Sequence, residues 1–193
     1  ERLPLPANLT GPYVHQPFEV RVRAVAADGT TLTPNYAGSI TVSGTGPSFT
    51  SSTATFVPLT HQGSLLVSAL KALSAGSLTL TASAGSVTGS LPPFPIREGF
   101  LVIDSVTGPL GTLTVSASIK DVATGFPVPD DNSTRVLLSL SSPTAGSPAS
   151  APATTSALTV LHGTLGFPIT KADEGTVTVS GTVQGFPMSV QPG

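Results

Sequence analysis

The sequence predicts an all-β protein made of two sandwich domains in tandem, and three observations carry that prediction. The first is composition. Thr, Ser, Ala, Gly and Val supply most of the 193 residues, only 9% are charged, and 20 Gly and 19 Pro recur as punctuation. Thr and Val suit the pleated, half-buried surface of a strand, while Gly and Pro build the turns between strands. The second is a period-two alternation of apolar and polar residues, which sends one strand face to a core and the other to water. The third is internal repetition, with the same order of strands and turns in both halves. The hydrophobic fraction is 39% and aromatics are 5%, so two thin cores are expected rather than one large one, each sandwich being only ~10 Å thick.

Taken in order, Phe18, Val20, Val22 and Ala24 alternate with Glu19, Arg21 and Arg23 in the first half. Leu113, Val115, Ala117 and Ile119 alternate with Thr114, Ser116 and Ser118 in the second. Each run reaches a turn: Ala27-Asp28-Gly29-Thr30, where Asp-Gly beside an alternating run is a strong hairpin signal, and the looser Asp121-Val122-Ala123-Thr124-Gly125. Proline follows in both, as Pro34 and as Pro127 with Pro129. The next strands are Ser39-Ile40-Thr41-Val42-Ser43 and Arg135-Val136-Leu137-Leu138-Ser139-Leu140.

Three later matches are closer. His61-Gln62-Gly63-Ser64-Leu65 parallels Leu161-His162-Gly163-Thr164-Leu165, and Ala75-Gly76-Ser77-Leu78-Thr79-Leu80-Thr81 parallels Glu174-Gly175-Thr176-Val177-Thr178-Val179-Ser180. Phe94-Pro95-Ile96 parallels Phe186-Pro187-Met188. Pro92-Pro93-Phe94-Pro95 suits a strand end leading into a short, stiff connection, since proline fixes φ and removes a donor. The expected boundary therefore falls at Arg97-Glu98-Gly99, giving repeats over residues 1–97 and 98–193.

The residues Tyr36-Ala37-Gly38-Ser39-Ile40-Thr41-Val42, Ala54-Thr55-Phe56-Val57, His61-Gln62-Gly63-Ser64-Leu65 and Ala75-Gly76-Ser77-Leu78-Thr79-Leu80-Thr81 form a pattern. It resembles the immunoglobulin-like repeats of extracellular surface proteins, of the bacterial invasin/intimin or filamin type. The second copy has Asn132-Ser133-Thr134 where the first has Tyr-x-Gly. The resemblance covers nearly the whole chain. It implies about seven strands per domain in two packed sheets, and roles in spacing, stacking or adhesion.

Asn8-Leu9-Thr10 and Asn132-Ser133-Thr134 are N-glycosylation sequons in expected loops or strand edges, making Asn8 and Asn132 candidate glycan sites. Residues 141–153 form a Ser/Pro/Ala-rich insertion in the second repeat. Its Ser-Pro and Ala-Pro steps resemble segments of plant and green-algal wall glycoproteins, and its composition predicts a long flexible loop. Starting at Glu1 without a charged-then-apolar leader, the sequence is expected to be an excerpt of a longer or processed polypeptide.

Chemistry-bearing residues are sparse. With no cysteine, neither disulfide nor thiolate metal site is available. No apolar run approaches the ~20 residues a spanning helix needs, so direct membrane insertion is not expected. A net charge of −2 offers nothing to nucleic acid. No Gly-x-Ser-x-Gly elbow or phosphate loop is present, so no catalytic residue and no cofactor is assigned. His61 and His162 fall in matching places just before a Gly turn, which marks a repeated turn rather than a shared metal site; His15 has no evident partner. Asp130-Asp131-Asn132 and Asp173-Glu174 are the densest acidic groups. They lack an Asp-x-Asp-x-Asp ladder and are expected to be solvated, as are Glu98 and Asp104 near the boundary, so no metal is assigned. Arg21, Arg23 and Glu19 are expected on a solvated strand face.

The function expected is a non-catalytic structural or adhesive module of a larger extracellular, cell-surface or filament-forming protein. Its expected partners are neighbouring repeats, other surface proteins and, as a further candidate, glycans. The alternative is a carbohydrate-binding or spacer domain attached to a secreted enzyme. Sugar faces present exposed Trp or Tyr, whereas this chain has no Trp and only Tyr13 and Tyr36. A third option is assembly by strand donation, with Leu3-Pro4-Leu5-Pro6 or Pro187-Met188-Ser189-Val190 as donor.

Overall fold

The computed structural model describes residues 11–109, 111–141, 157–170 and 178–192. Asn8, Leu3-Pro4-Leu5-Pro6, Asp173-Glu174 and all of the 141–153 insertion after Ser141 lie outside them. The described residues are all-β with no helix, and they cluster into two compact units, 11–97 and 98–192. Each is an immunoglobulin-like sandwich.

In the first unit, strands β1 (Phe18–Arg23) and β4 (Ser64–Leu70) form one sheet. The facing sheet runs β3 (Ser52–Phe56), β2 (Gly38–Thr45), β5 (Gly76–Ala84), with β6 (Val87–Ser90) and β7 (Phe94–Ile96) both on the far edge of β5. The alternation anticipated for β1 and β2 buries Phe18, Val20, Ile40 and Val42, and Leu65, Val67, Leu78, Leu80 and Phe56 meet them from the other strands. Phe18 packs edge-on to Phe94 at 5.9 Å, a preferred aromatic geometry. The chain enters the unit beside the last strand: Tyr13 bridges Arg97 in parallel and is 1% exposed.

In the second unit, β8 (Gly99–Thr107), β9 (Leu113–Asp121), β12 (Thr164–Ile169) and β14 (Ser189–Pro192) form a sheet in the order β12-β9-β8-β14. The facing sheet is β11 (Leu158–Thr159), β10 (Arg135–Ser141), β13 (Thr178–Val183). Leu101, Val115, Ala117, Ile119, Val136, Leu138, Phe167 and Ile169 make its core.

The β1/β4 and β9/β12 ladders correspond residue by residue. Arg23 faces Ser64 and Val22 faces Leu65, as Ser118 faces Thr164 and Ala117 faces Leu165. Ala24 N–H donates to the Gly63 carbonyl at 2.8 Å, and Ile119 N–H to the Gly163 carbonyl at 2.7 Å.

Three expectations are corrected. Phe186-Pro187-Met188 lies outside any strand. The second unit closes instead with β14, paired in parallel to β8, whereas β7 pairs with β5. Ser118, expected in water, is 1% exposed. It sits on the central strand of its sheet, flanked by Val102 on β8 and Thr164 on β12. Asp131, expected to be solvated, is fully buried, for the reason given below.

Candidate functional site

The polar side chains capable of chemistry collect at the loops joining β1 to β2 and β9 to β10, and at the turns entering β4 and β12. Both strand-joining loops are six residues closed by the same backbone bond, Ala26 N–H to Thr31 O and Asp121 N–H to Phe126 O. Their side-chain solutions differ. Asp28 accepts from Thr30 N–H and Thr31 N–H, both at 2.9 Å, and from the Thr31 hydroxyl. These bonds, the Thr31 hydroxyl foremost, hold its pKa down at about 2, because each favours the charged carboxylate. Asp121 accepts from Ala123 N–H at 2.8 Å and Thr124 N–H at 3.2 Å. Both are Asx turns, in which a short acidic side chain caps its own backbone.

After the loop, Tyr36 N–H donates to Thr33 O and Asp131 N–H to Val128 O, so Asp131 stands where the first unit has Tyr36. Tyr36 is half-buried and lies edge-on to Phe56 at 5.2 Å. Asp131 instead turns inward and accepts from Ser133 N–H at 3.1 Å and Thr134 N–H at 2.9 Å. Such bonds make burial of a carboxylate tolerable. The acidic pair was visible in the sequence, but nothing there marked its second member as the counterpart of a tyrosine.

The histidines also need correction: they are not in matching places. Gln62 and His162 are the equivalent pair, each left-handed at φ 49° and 51°, directly before Gly63 and Gly163. His61 precedes them by one position and accepts from Val57 N–H through Nδ1 at 2.8 Å. His162 donates from Nδ1 to the Pro129 carbonyl at 3.0 Å, while its own N–H bonds Asn132 Oδ1 at 2.9 Å. The Nδ1 atoms therefore play opposite parts, acceptor in His61 and donor in His162, each fixed by a turn. A lysine completes the inventory: Lys120 pairs with Asp104 at 2.7 Å. Among the described residues no three His, Asp or Glu gather closely enough to hold a metal.

The first unit also contains a groove of about 680 Å³ between β1 and the β2/β5/β6 sheet. Val20, Val22, Ile40, Leu80, Ala82 and Val87 line it, and no described carboxylate or imidazole does. Arg21, Arg23 and Tyr36 also border it, so among the described residues its ionisable lining is two guanidinium groups and a phenol, beside a largely apolar wall. Neither tyrosine forms an open aromatic platform, since Tyr13 is buried and Tyr36 is engaged with Phe56. Sequence reasoning missed the groove because it arises between two sheets whose strands are far apart in the chain.

No protein-family model and no curated protein matches the chain. Among solved structures, it is similar to invasin, described as a bacterial integrin-binding protein. The identity is 15% and the TM-score 0.38, over 94% of this chain and 36% of that one. It is also similar to domains 4 and 5 of the S-layer protein SbsC, at 12% identity and a TM-score of 0.34, over 98% of this chain and 96% of that one. The chain thus spans about a third of the invasin structure.

Proposed function

We propose that this chain is a non-catalytic structural or adhesive module of a larger extracellular surface protein, its two units being repeats of one kind. The observation that supports this best is how its reactive side chains are used. Asp28, Asp121, Asp131, His61 and His162 each hold the backbone of a turn, where an active site would converge such groups on a pocket. Natural partners on this reading are neighbouring repeats and other surface proteins.

Glycosylation at Asn8 and Asn132 belongs to the same reading. At Asn132 a glycan would take Nδ2, while Oδ1 holds His162. A loss of mass on enzymatic removal of N-glycans from the chain secreted by a eukaryotic host tests it.

Stretching the full chain from its two ends in a force microscope tests the structural role. Two separate unfolding peaks are expected, each releasing roughly 250–300 Å at ~3.3–3.6 Å per extended residue. Smooth extension without peaks would count against it. Tight binding to an arrayed sugar would replace it with the carbohydrate-binding reading.

A further inference from the structure

The opposite parts played by the two Nδ1 atoms have opposite consequences in acid. At His61 the ring accepts from Val57 N–H at 2.8 Å, and only the neutral imidazole has a lone pair to accept with. Protonation puts a second N–H where that lone pair was, so two donors face each other and the bond is lost. At His162 the ring donates to the Pro129 carbonyl at 3.0 Å, a bond that the imidazolium makes at least as well. The bond from His162 N–H to Asn132 Oδ1 involves no ring atom.

The segment that the His61 bond closes is strained. Val57 N–H donates to His61 Nδ1, and His61 N–H donates back to Val57 O at 3.1 Å. Between them Leu59 has φ 63°, and Thr60 N–H donates to Pro58 O at 2.7 Å. A three-residue turn with a left-handed centre is rare and strained. Burial does not hold it, since Leu59 is 71% exposed and Val57 is 48% exposed. Such a conformation persists only where surrounding bonds over-determine it, and a further tether is Leu59 N–H to Pro34 O at 3.1 Å. The His61 ring is steadied edge-on to Phe56 at 6.1 Å.

We infer that the turn entering β4 is an acid-sensitive latch. Protonation of His61 releases Val57 N–H and loosens the loop that carries Leu59, while the turn entering β12 keeps its bonds. No described carboxylate pairs with the His61 ring. The ionisable groups on the neighbouring elements are Arg23, opposite Ser64, Asp28 in the β1–β2 loop, and Tyr36, edge-on to Phe56. Arg23 stays a cation, and Asp28, with a pKa of about 2, stays an anion in mild acid. Histidine is the side chain whose charge ordinarily changes between about pH 5 and 8. The latch belongs to the first unit and does not depend on an adhesive role.

Nuclear magnetic resonance on the full chain tests it. Ring protonation is followed through the Cε1–H shift of His61, and protection of Val57 N–H through its exchange rate, corrected for the intrinsic effect of pH. As the ring takes up its proton, protection at Val57 should fall about tenfold, the factor that one hydrogen bond carries. Protection at His162 N–H should hold over the same range. In His61→Asn the side-chain Oδ1 can accept in the same place and cannot ionise, so protection at Val57 should survive acid. In His61→Ala it should be low at every pH. Protection at Val57 that ignores ring protonation, an equal fall at His162, or the same fall in His61→Asn would each overturn the inference. So would loss of protection throughout β2 and β5 in step with Val57, which would mean that acid unfolds the unit rather than opening the turn.

Discussion

The turn entering β4 and the turn entering β12 share a backbone and almost no side chains. Both put a non-glycine residue and then a glycine in the left-handed region, and in both the glycine carbonyl accepts from the residue just past the last ladder pair, Ala24 or Ile119. Yet the first is steadied by His61 on Val57 and the second by Asn132 and Pro129 on His162. The difference teaches that the two turns share a backbone geometry and that different polar residues keep it. A catalytic site would show the reverse, with fixed side chains on a variable frame.

The sharpest way to break the comparison is to write one unit's core residue into the other. Ile119 is fully buried where the first unit has Ala24, so Ile119→Ala should cost about 2–5 kcal/mol through lost burial and the cavity left behind. Followed by chemical denaturation with strand-resolved hydrogen exchange, the loss should be confined to the second unit. An equal loss in both units would show that they do not unfold separately.

Next come the two glycines. Gly63 and Gly163 have φ of 76° and 72°, and a Cβ would meet Thr33 O at 2.9 Å and Val128 O at 2.6 Å. Alanine at either place combines left-handed strain of about 1–2 kcal/mol with contact against backbone that cannot rotate away. Gly163→Ala should be the more damaging of the two because its approach is closer. Midpoints of denaturation in the reverse order would remove the steric argument.

These glycines also show what a sequence discloses. Gly63, Gly163 and the alternating strands were legible because turn geometry and sheet pleat act on neighbouring residues, whose constraints lie side by side in the chain. The Asp28 hairpin was legible for the same reason. Burial of Asp131 and Ser118 was not. Each depends on partners across the fold: for Ser118 the strands on either side, for Asp131 a loop whose alignment to Tyr36 appears only through backbone bonds. The offset between His61 and His162 was hidden by chemical likeness, since two imidazoles near two glycines look equivalent until φ is known. The groove was least legible of all, because the strands that wall it are far apart in the chain.

Asp131 offers a smaller test. Asp131→Ala strands a buried N–H at Thr134 and a part-buried one at Ser133, and should cost about 1–3 kcal/mol. Asp131→Asn keeps an oxygen in the same place and should recover most of that in the same denaturation measurement. If asparagine were as damaging as alanine, the loss would come from charge rather than from capping.

The smallest effect is at Asp28, and it carries a sign. Its folded pKa is about 2, below the ordinary carboxylate value of 3.8, so folding favours the carboxylate. The stabilisation is complete above the unfolded pKa of ~3.9 and is lost as pH falls through the folded value. The Thr30 and Thr31 amide resonances should therefore titrate with a midpoint near 2, and in Asp28→Asn, which keeps an acceptor but cannot ionise, they should not titrate in that range. Asp121 caps the matching six-residue loop through two backbone donors, at Ala123 and Thr124. The largest contribution at Asp28 is the Thr31 hydroxyl, so Thr31→Val should raise its midpoint towards the ordinary carboxylate range. A midpoint that stayed near 2 in Thr31→Val would assign the shift to the Thr30 and Thr31 backbone N–H groups and the Thr30 side chain, and would remove the Thr31 hydroxyl as the difference between the two loops.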